Sequence, residues 1–540
     1  MRIPELRVGA APNAGKDFRP LFVAMLGVAL LAVASIPIIT HPLPALQDYA
    51  NHLARAHVIN AIGSDPDLAR FYWIDWQIIP NLMIDLVVPA LNWFTSIYVA
   101  GQIFSVLSFA TIVSGALVLH RALFGRWSAL PLIGVPLLYN GVMLVGVMNY
   151  VIGIGIALWA LAVWIMWRER SWPWRFAAST AFVLLLFICH LFAAGVYGLG
   201  LLAFELERLW AKRNEPLLPR LVDFVATGLP FLIVAALLVT GPTWNTPGIP
   251  AFWNFSDKLE GFELAFEVYY PAVAYALLAA VGIAGLVAAY YRALHFHPVG
   301  WAVLAVGMVI YLAMPRALFA AHMADARLPI ALVFMLIACL DLEVRTVAAR
   351  RAFVAMLVVL AAVRVGEVQH VWNQLEPRTM DFFRSVHLIE RGARVLVVSE
   401  FDEHGSSGMI TSMDIAHAAS LATIERSAFV TTNFTVRGKQ VLQVRDGFRS
   451  IADLENRLPP SMPFFLDGTD GPEGNEAWYF WDWWPLKYDY VYILDTKRGE
   501  LCEERKHLRL VHEGVGFQLY RVVKPQMLTG TAHESIHLEP

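Results

Sequence analysis

The sequence predicts a polytopic α-helical membrane protein of about eleven transmembrane helices followed by a C-terminal extracytoplasmic α/β domain. Three observations predict it. Of 540 residues, 58% are hydrophobic and only 16% charged, whereas an ordinary soluble domain carries about a quarter charged residues. Apolar runs long enough to span a bilayer recur between Leu21 and Val365. From Gln369 onward charged residues and turn signals become frequent, and no remaining apolar run is long enough to span.

The first run, Leu21 to Ile39, follows Arg2, Arg7, Lys16 and Arg19. It exceeds the roughly 7 to 15 residues of a signal-peptide core and leads into HPLPALQD instead of a small-residue cleavage site, so it reads as a retained helix. Further spans are expected near Ser96 to Leu119, Leu130 to Val147, Val151 to Trp167, Leu221 to Val239, Val268 to Tyr290, Trp301 to Met314, Leu328 to Leu340 and Phe353 to Val365. The run Ala177 to Leu202 is too long for one comfortable span and divides into two, hinged near Cys189 and His190.

Lys and Arg in short connections are retained on the cytoplasmic side. With the N-terminus inside, the inner connections are HRALFGRW, WRERSWPWR, ERLWAKRNEPLLPR, YYRALHFHP and EVRTVAARR, all of which contain arginine. The outer ones, from LQDYANHLAR to MPRALFAAHMADARLP, hold most of the acids and aromatics. The resulting organisation is a cytoplasmic tail at 1–20, a transmembrane domain at 21–367 with a first outer loop at 40–95, and a soluble extracytoplasmic domain at 368–540. A multi-pass protein of a bacterial inner membrane is expected. The orientation depends on the hinge near His190, because a single span there inverts everything downstream.

In the last segment, Arg394 to Glu400, Ala428 to Phe434, Tyr488 to Asp495 and Gly516 to Val523 read as strands, with ADLENRL helical between them. It contains no glycine-rich phosphate loop, metal-ligand motif or Ser/His/Asp order, so a lid or support is expected of it. Cys189 and Cys339 sit in apolar runs and Cys502 stands alone, which excludes a disulfide framework. A net charge of −3, with basic residues only in short clusters, excludes a nucleic-acid partner.

The ionisable residues that stand out lie on the outer side. In LQDYANHLARAHVINA, Asp48, His52 and Arg55 share one face of an amphipathic helix. A carboxylate there can take a proton from an acceptor hydroxyl while a neighbouring cation holds a phosphate; a solvated helix capped by Asp48 would use the same residues differently. A second outer loop supplies Arg316, His322, Asp325 and Arg327, and ionisable groups at membrane depth need partners. Glu263 lies on a helical stretch with Lys258, Glu260 and Glu267. Asn149 and His190 sit at two outer hairpins, where interhelical hydrogen bonding is the plainer role. Asp48, His52, His322 and Asp325 offer oxygen and imidazole to a divalent metal, although no spacing requires one and metal-free hydrogen-bonded pairs are preferred.

Carried by the LQDYANHLAR loop, the GVMNYVIGIGIALWALAVW hairpin and the HMADARLP entry into a late span, the chain resembles the GT-C superfamily of integral membrane glycosyltransferases. It also resembles uncharacterised bacterial membrane proteins of that architecture. The resemblance implies a polyprenyl-phosphate sugar donor reached from membrane lipid, and a glycan, lipid or protein acceptor. It makes Asp48 the general base, and Arg55, Arg316 or Arg327 the holder of the donor phosphate. Many members place two acids together in this loop, whereas here Tyr49 follows Asp48 and the next acids are Asp65 and Asp67. The competing expectations are a transporter or flippase of a lipid-linked or envelope substrate, for which no repeated half is visible, and a non-catalytic envelope-assembly scaffold.

Overall fold

A computed structural model describes residues 18–400, 415–455, 459–460, 465, 479–496 and 507–524. The N-terminal tail up to residue 17, Cys502 and the end of ADLENRL lie outside the described residues. The described residues open with α1 (Pro20–Thr40), and the loop after it holds α2 (Tyr49–Ala61), α3 (Pro66–Phe71), β1 (Tyr72–Ile74) and α4 (Met83–Asn92). A helical bundle follows: α5 (Ile97–Phe124), a 3₁₀ segment (Leu130–Leu138), α6 (Gly141–Val145), α7 (Met148–Met166), α8 (Trp172–Cys189), α9 (Leu191–Ala211), α10 (Leu217–Thr227) and α11 (Leu229–Thr240). Next come α12 (Lys258–Phe266), α13 (Pro271–Tyr290), β2 (Leu294–Phe296), α14 (Pro298–Ala313), α15 (Leu328–Ala338), β3 (Leu340–Leu342) and α16 (Val347–Val386). The final region contains β4 (Arg394–Ser399), α17 (Leu421–Arg426), β5 (Phe429–Val430), β6 (Leu442–Val444), β7 (Tyr490–Leu494), β8 (Leu508–Gly514) and β9 (Phe517–Val522).

This is a multi-pass membrane protein. Among the described residues seven helices are long and apolar enough to cross a bilayer, α10 and α11 counting as one, and four shorter apolar helices accompany them. Every expected span falls on an apolar helix, but several are shorter than a bilayer requires. The expected hinge is present: His190 is extended (φ −168°, ψ 132°) between α8 and α9. The two helices fold back on each other, since Ser179 meets Tyr197 at 3.0 Å and Arg175 approaches Glu205 at 3.9 Å. Two pairs of partners on opposite sides of His190, the second farther from it than the first, define a hairpin.

Two glycines on facing helices allow α5 and α7 to meet closely. A Cβ on Gly155 would lie 2.5 Å from the Thr111 carbonyl carbon, and one on Gly115 would lie 2.8 Å from the Gly155 oxygen. Small residues at such a crossing let backbones touch and replace side-chain contacts with dense main-chain packing.

The C-terminal sheet has the order β5-β4-β7-β9-β8, with β4 parallel to both β5 and β7 and the remaining pairs antiparallel. Alternation along β4 sends Val395 and Val397 to one face, where Phe382 and Val386 of α16 cover them. Leu396 and Val398 face the other way, onto Val58 of α2 and Leu68 and Phe71 of α3. Being covered on both faces explains why RVLVVS reads as a nearly unbroken apolar run. β1 from the first loop also pairs with β6, Tyr72 opposite Val444.

The expected boundary at 367/368 therefore falls inside one 40-residue helix, α16. Its first part packs in the bundle core through Phe353, Leu357, Val365, Val368 and Trp372, and its end packs on the sheet. The expected strand Ala428 to Phe434 is reduced to Phe429–Val430, because Asn51 of α2 takes over the next backbone groups: it donates to Thr432 O at 2.6 Å and accepts from Phe434 N at 2.8 Å. ADLENRL starts without a helix. The Asp453 carboxylate accepts from Glu455 N at 3.1 Å, a local bond that competes with helix formation. The strand β8 was not expected, its charged and apolar residues marking an exposed edge.

Gly155→Val should force α5 from α7 and cost about 1–3 kcal/mol or more. A thermal melt of the detergent-solubilised protein should show the loss; an unchanged melting temperature would contradict the close crossing.

Candidate functional site

Asp48 is placed by backbone geometry. Gln47 N donates to Leu144 O at 2.9 Å and Asp48 N to Val145 O at 3.1 Å, which strap the loop after α1 to the end of α6. Gly146 closes α6 in the left-handed region (φ 90°), and a Cβ there would lie 2.8 Å from Asp48 N. Only glycine suits both the backbone angle and the close approach. Asp48 occupies the N-cap position of α2, yet its side chain makes no capping hydrogen bond. The carboxylate is left for other partners.

The polar face of α2 points into the protein. His52 and Arg55 are buried, because the sheet covers the side of α2 that an amphipathic helix would show to water. Arg55 Nε donates to Asp85 of α4 at 2.6 Å and its Nη2 donates to His52 Nδ1 at 3.2 Å. That fixes the tautomer: His52 carries its proton on Nε2 and donates to Gly146 O at 3.2 Å. Burial, with Arg55 alongside, holds the His52 pKa well below the usual imidazole range. His52 and Arg55 thus brace the Asp48 turn. The Arg55 charge is already answered by Asp85, a residue that the sequence reading did not single out.

The residues singled out in the loop before α15 split into two groups. Asp325 is fully buried and accepts from Lys258 Nζ at 2.6 Å, with Arg316 Nη1 at 3.5 Å. Arg316 also pairs with Glu260, and Asp257 lies 4.0 Å away. This network knits α12 to the loop before α15, and Arg316 is saturated with acids. Glu263 is exposed on α12 and takes no part in it. Asn149 is likewise occupied: it accepts from Ile84 N at 2.8 Å and donates to Asn81, holding α7 to α4. Among the described residues no group of three His, Cys, Asp or Glu is arranged to hold a metal ion.

Arg327 differs from Arg55 and Arg316 in having no acid at ion-pair distance among the described residues. Its Nη2 donates to His322 O at 3.0 Å, its Nη1 faces His190 Nε2 at 3.2 Å, and its buried Nε has no partner among the described residues. The His190 contact does not satisfy it. His190 Nδ1 accepts from Phe192 N at 3.2 Å, and a neutral imidazole has only one ring nitrogen free to accept. The His322 ring itself is exposed and lies beside Phe252. Tyr150 fixes the Arg327 backbone by donating to its carbonyl at 2.8 Å. The charge of Arg327 is felt at Asp48.

The final region adds two groups that the sequence reading did not name. His417 Nε2 lies 3.4 Å from Asp48 Oδ1, and its Nδ1 receives Asn51 Nδ2 at 3.3 Å, so the proton sits on the nitrogen facing the carboxylate. Burial drives the His417 pKa down to about 4, which keeps the ring neutral. Lys439 donates to Ala320 O at 2.6 Å. His417 stands in an alanine-rich stretch, MDIAHAAS, and Lys439 in a polar one, RGKQ, and no spacing links them to the first loop; only tertiary packing brings them there. Burial pushes the Asp48 carboxyl up to about 7, against the pull of Arg327, Arg55 and Lys439.

No family model matches the sequence, and no curated protein matches it. The fold is similar to a solved glycosyltransferase, the single-particle cryo-EM structure of the arabinofuranosyltransferase AftD from mycobacteria. That structure is 15% identical with a TM-score of 0.47, and the likeness covers 95% of this chain and 40% of that one. The chain thus spans less than half the length of AftD.

Asp85 and Asp48 should respond oppositely to loss of charge. Asp85→Asn leaves the buried Arg55 guanidinium without its counter-charge and should cost about 3–5 kcal/mol. A folded carboxyl raised to about 7 binds its proton more tightly than the unfolded one, so the parent loses stability as pH rises from the ordinary carboxylate range to about 7. Asp48→Asn removes that loss and should melt no lower than the parent above this window. Melting curves of both variants across pH test the assignment.

Proposed function

We propose that the chain is a GT-C-type glycosyltransferase that moves a sugar from a polyprenyl-phosphate donor to an acceptor hydroxyl at the extracytoplasmic face of a bacterial inner membrane. The N-terminus is then cytoplasmic and the C-terminal sheet periplasmic. The observation that carries the reading is that Asp48 and Arg327 lie within electrostatic reach of each other without forming an ion pair. Asp48 is a carboxyl poised near 7, with a neutral imidazole beside it and no cation at ion-pair distance among the described residues. Arg327 is a guanidinium within electrostatic reach of it that has no acid of its own among the described residues.

A general base works best when its pKa lies near the ambient pH, where it is substantially ionised and still basic. Asp48 meets that condition, and His417 Nε2 lies 3.4 Å from one carboxylate oxygen and leaves the other for a hydroxyl. The planar fork of arginine matches a phosphate bidentately. Arg327 has no acid at ion-pair distance among the described residues, whereas Arg55 and Arg316 are committed to acids. The surroundings suit a lipid-linked substrate: the neighbouring loop exposes Trp244, Trp253 and Phe255, and such aromatics sit at the headgroup level of a membrane. Attack by the acceptor oxygen on the anomeric carbon transfers its proton to Asp48, and the bond to the phosphate oxygen breaks as the lipid phosphate leaves against Arg327.

Radiolabelled polyprenyl-phosphate sugars offered to the purified protein test the reading. Asp48→Asn should retain the fold and lose about 10²–10⁴-fold in transfer. Because the base must be ionised, transfer by the parent should be full above about 7 and decline as pH falls below it. Arg327→Met should lose donor affinity while the melt stays close to the parent. Equal transfer by parent and Asp48→Asn, or no donor consumed by folded protein, would remove the reading.

A further inference from the structure

Lys439 and Arg327 are two cations tied to one loop. Lys439 Nζ donates to Ala320 O at 2.6 Å and Arg327 Nη2 to His322 O at 3.0 Å, carbonyls two residues apart. The loop is held in an unusual shape: Phe319 (φ 51°), Ala320 (φ 54°) and Met323 (φ 53°) are non-glycine residues in the left-handed region. Such conformations cost about 1–3 kcal/mol each and persist where surrounding contacts impose them. The Lys439 turn is fixed from below, since Thr243 Oγ1 donates to Gly438 O at 2.7 Å and Gln440 Oε1 accepts from Val436 N at 3.0 Å. Two elements distant in sequence are therefore built to bring an ammonium and a guanidinium to the same carbonyl arc, within electrostatic reach of Asp48.

The charges of the proposed reaction require more than one cation. A polyprenyl-phosphate sugar is a phosphodiester with one negative charge. Once the anomeric C–O bond breaks, the leaving group is a phosphate monoester and the electron pair of that bond gives it a second charge. The acceptor proton has gone to Asp48, which becomes neutral and no longer offsets a cation. Arg327 alone matches the bound donor. A second cation matters only as the bond breaks, and a group that interacts more strongly with the transition state than with the ground state raises turnover.

We infer that Lys439 is a catalytic residue of this site, binding the leaving phosphate monoester in preference to the intact phosphodiester. The inference rests on the proposed glycosyl transfer and deepens it. Lys439 keeps one proton on Ala320 O and has two more for phosphate oxygens. The groups that face it electrostatically are Arg327, Asp48 and Asp453, and burial, followed by Arg327, brings its pKa down to about 8. It remains mostly charged at neutral pH and lies close enough to neutrality to release product.

The test is binding of two probes to the full chain in nanodiscs: a short polyprenyl phosphate, and its methyl ester, which cannot take a second charge. The pH is set above the second phosphate ionisation near about 6 and below about 8. Lys439→Met should lose at least about tenfold in affinity for the monoester and leave the methyl ester within about twofold. Lys439→Arg should restore the difference, and Arg327→Met should weaken both. In the unmodified protein the preference for the monoester should fade as pH rises through about 8, a readout independent of how any variant folds. Equal effects of Lys439→Met on both probes, or a preference that persists at high pH, would overturn the role of Lys439 while loss of both on Arg327→Met still supports the transferase. A parent chain that binds neither probe would overturn both.

Discussion

The burial of α2 between the helical bundle and the C-terminal sheet is the constraint on which the site depends. Asp48 begins this helix, Asn51 sews it to the backbone at Thr432 and Phe434, His52 and Arg55 are locked beneath it, and Val58 enters the core of the sheet. A helix exposed on one side would leave Asp48 in water with an ordinary carboxylate pKa. Enclosed on both sides, the same carboxyl loses solvation, and desolvation outweighs the attraction of three nearby cations. The fold thus creates the basicity that the proposed chemistry uses.

Three arginines, Arg55, Arg316 and Arg327, share one side chain and differ in their surroundings. Arg55 has Asp85, and Arg316 has Glu260, Asp257 and Asp325, so both charges are neutralised within the protein. Arg327 meets a backbone carbonyl and an imidazole already engaged by a backbone N–H. A partly buried guanidinium without an acid is costly, and an anionic substrate offsets that cost. Counter-charges distinguish the arginine available for binding from those that hold structure, and they belong to sequence-distant residues.

This difference also explains what was legible in the sequence. The apolar spans and the His190 hinge follow from run length and local punctuation, which act over neighbouring residues. The Asp48 loop stood out because its polar residues recur at helical spacing. The sheet covering α2, the pairing of β1 with β6, and the arrival of His417 and Lys439 depend on contacts between residues hundreds of positions apart. Composition could separate the last region from the bundle, but could not show that α16 runs through the change in hydropathy. At that point the buried Arg364–Glu367 pair keeps charge inside the helix, and Glu367 accepts from Tyr269 N and Tyr270 N. A polar signal was thus part of a continuous packed element.

The continuity of α16 has a geometric consequence. Bundle and sheet are joined by helical phase as well as by proximity, for Trp372 belongs to one core and Phe382 to the other on the same rod. Adding one residue between them would rotate everything beyond by about 100° and advance it by about 1.5 Å. That rotation would swing the underside of the sheet away from the first loop, so the spacing between these two aromatics acts as a ruler that admits no gradual drift in length.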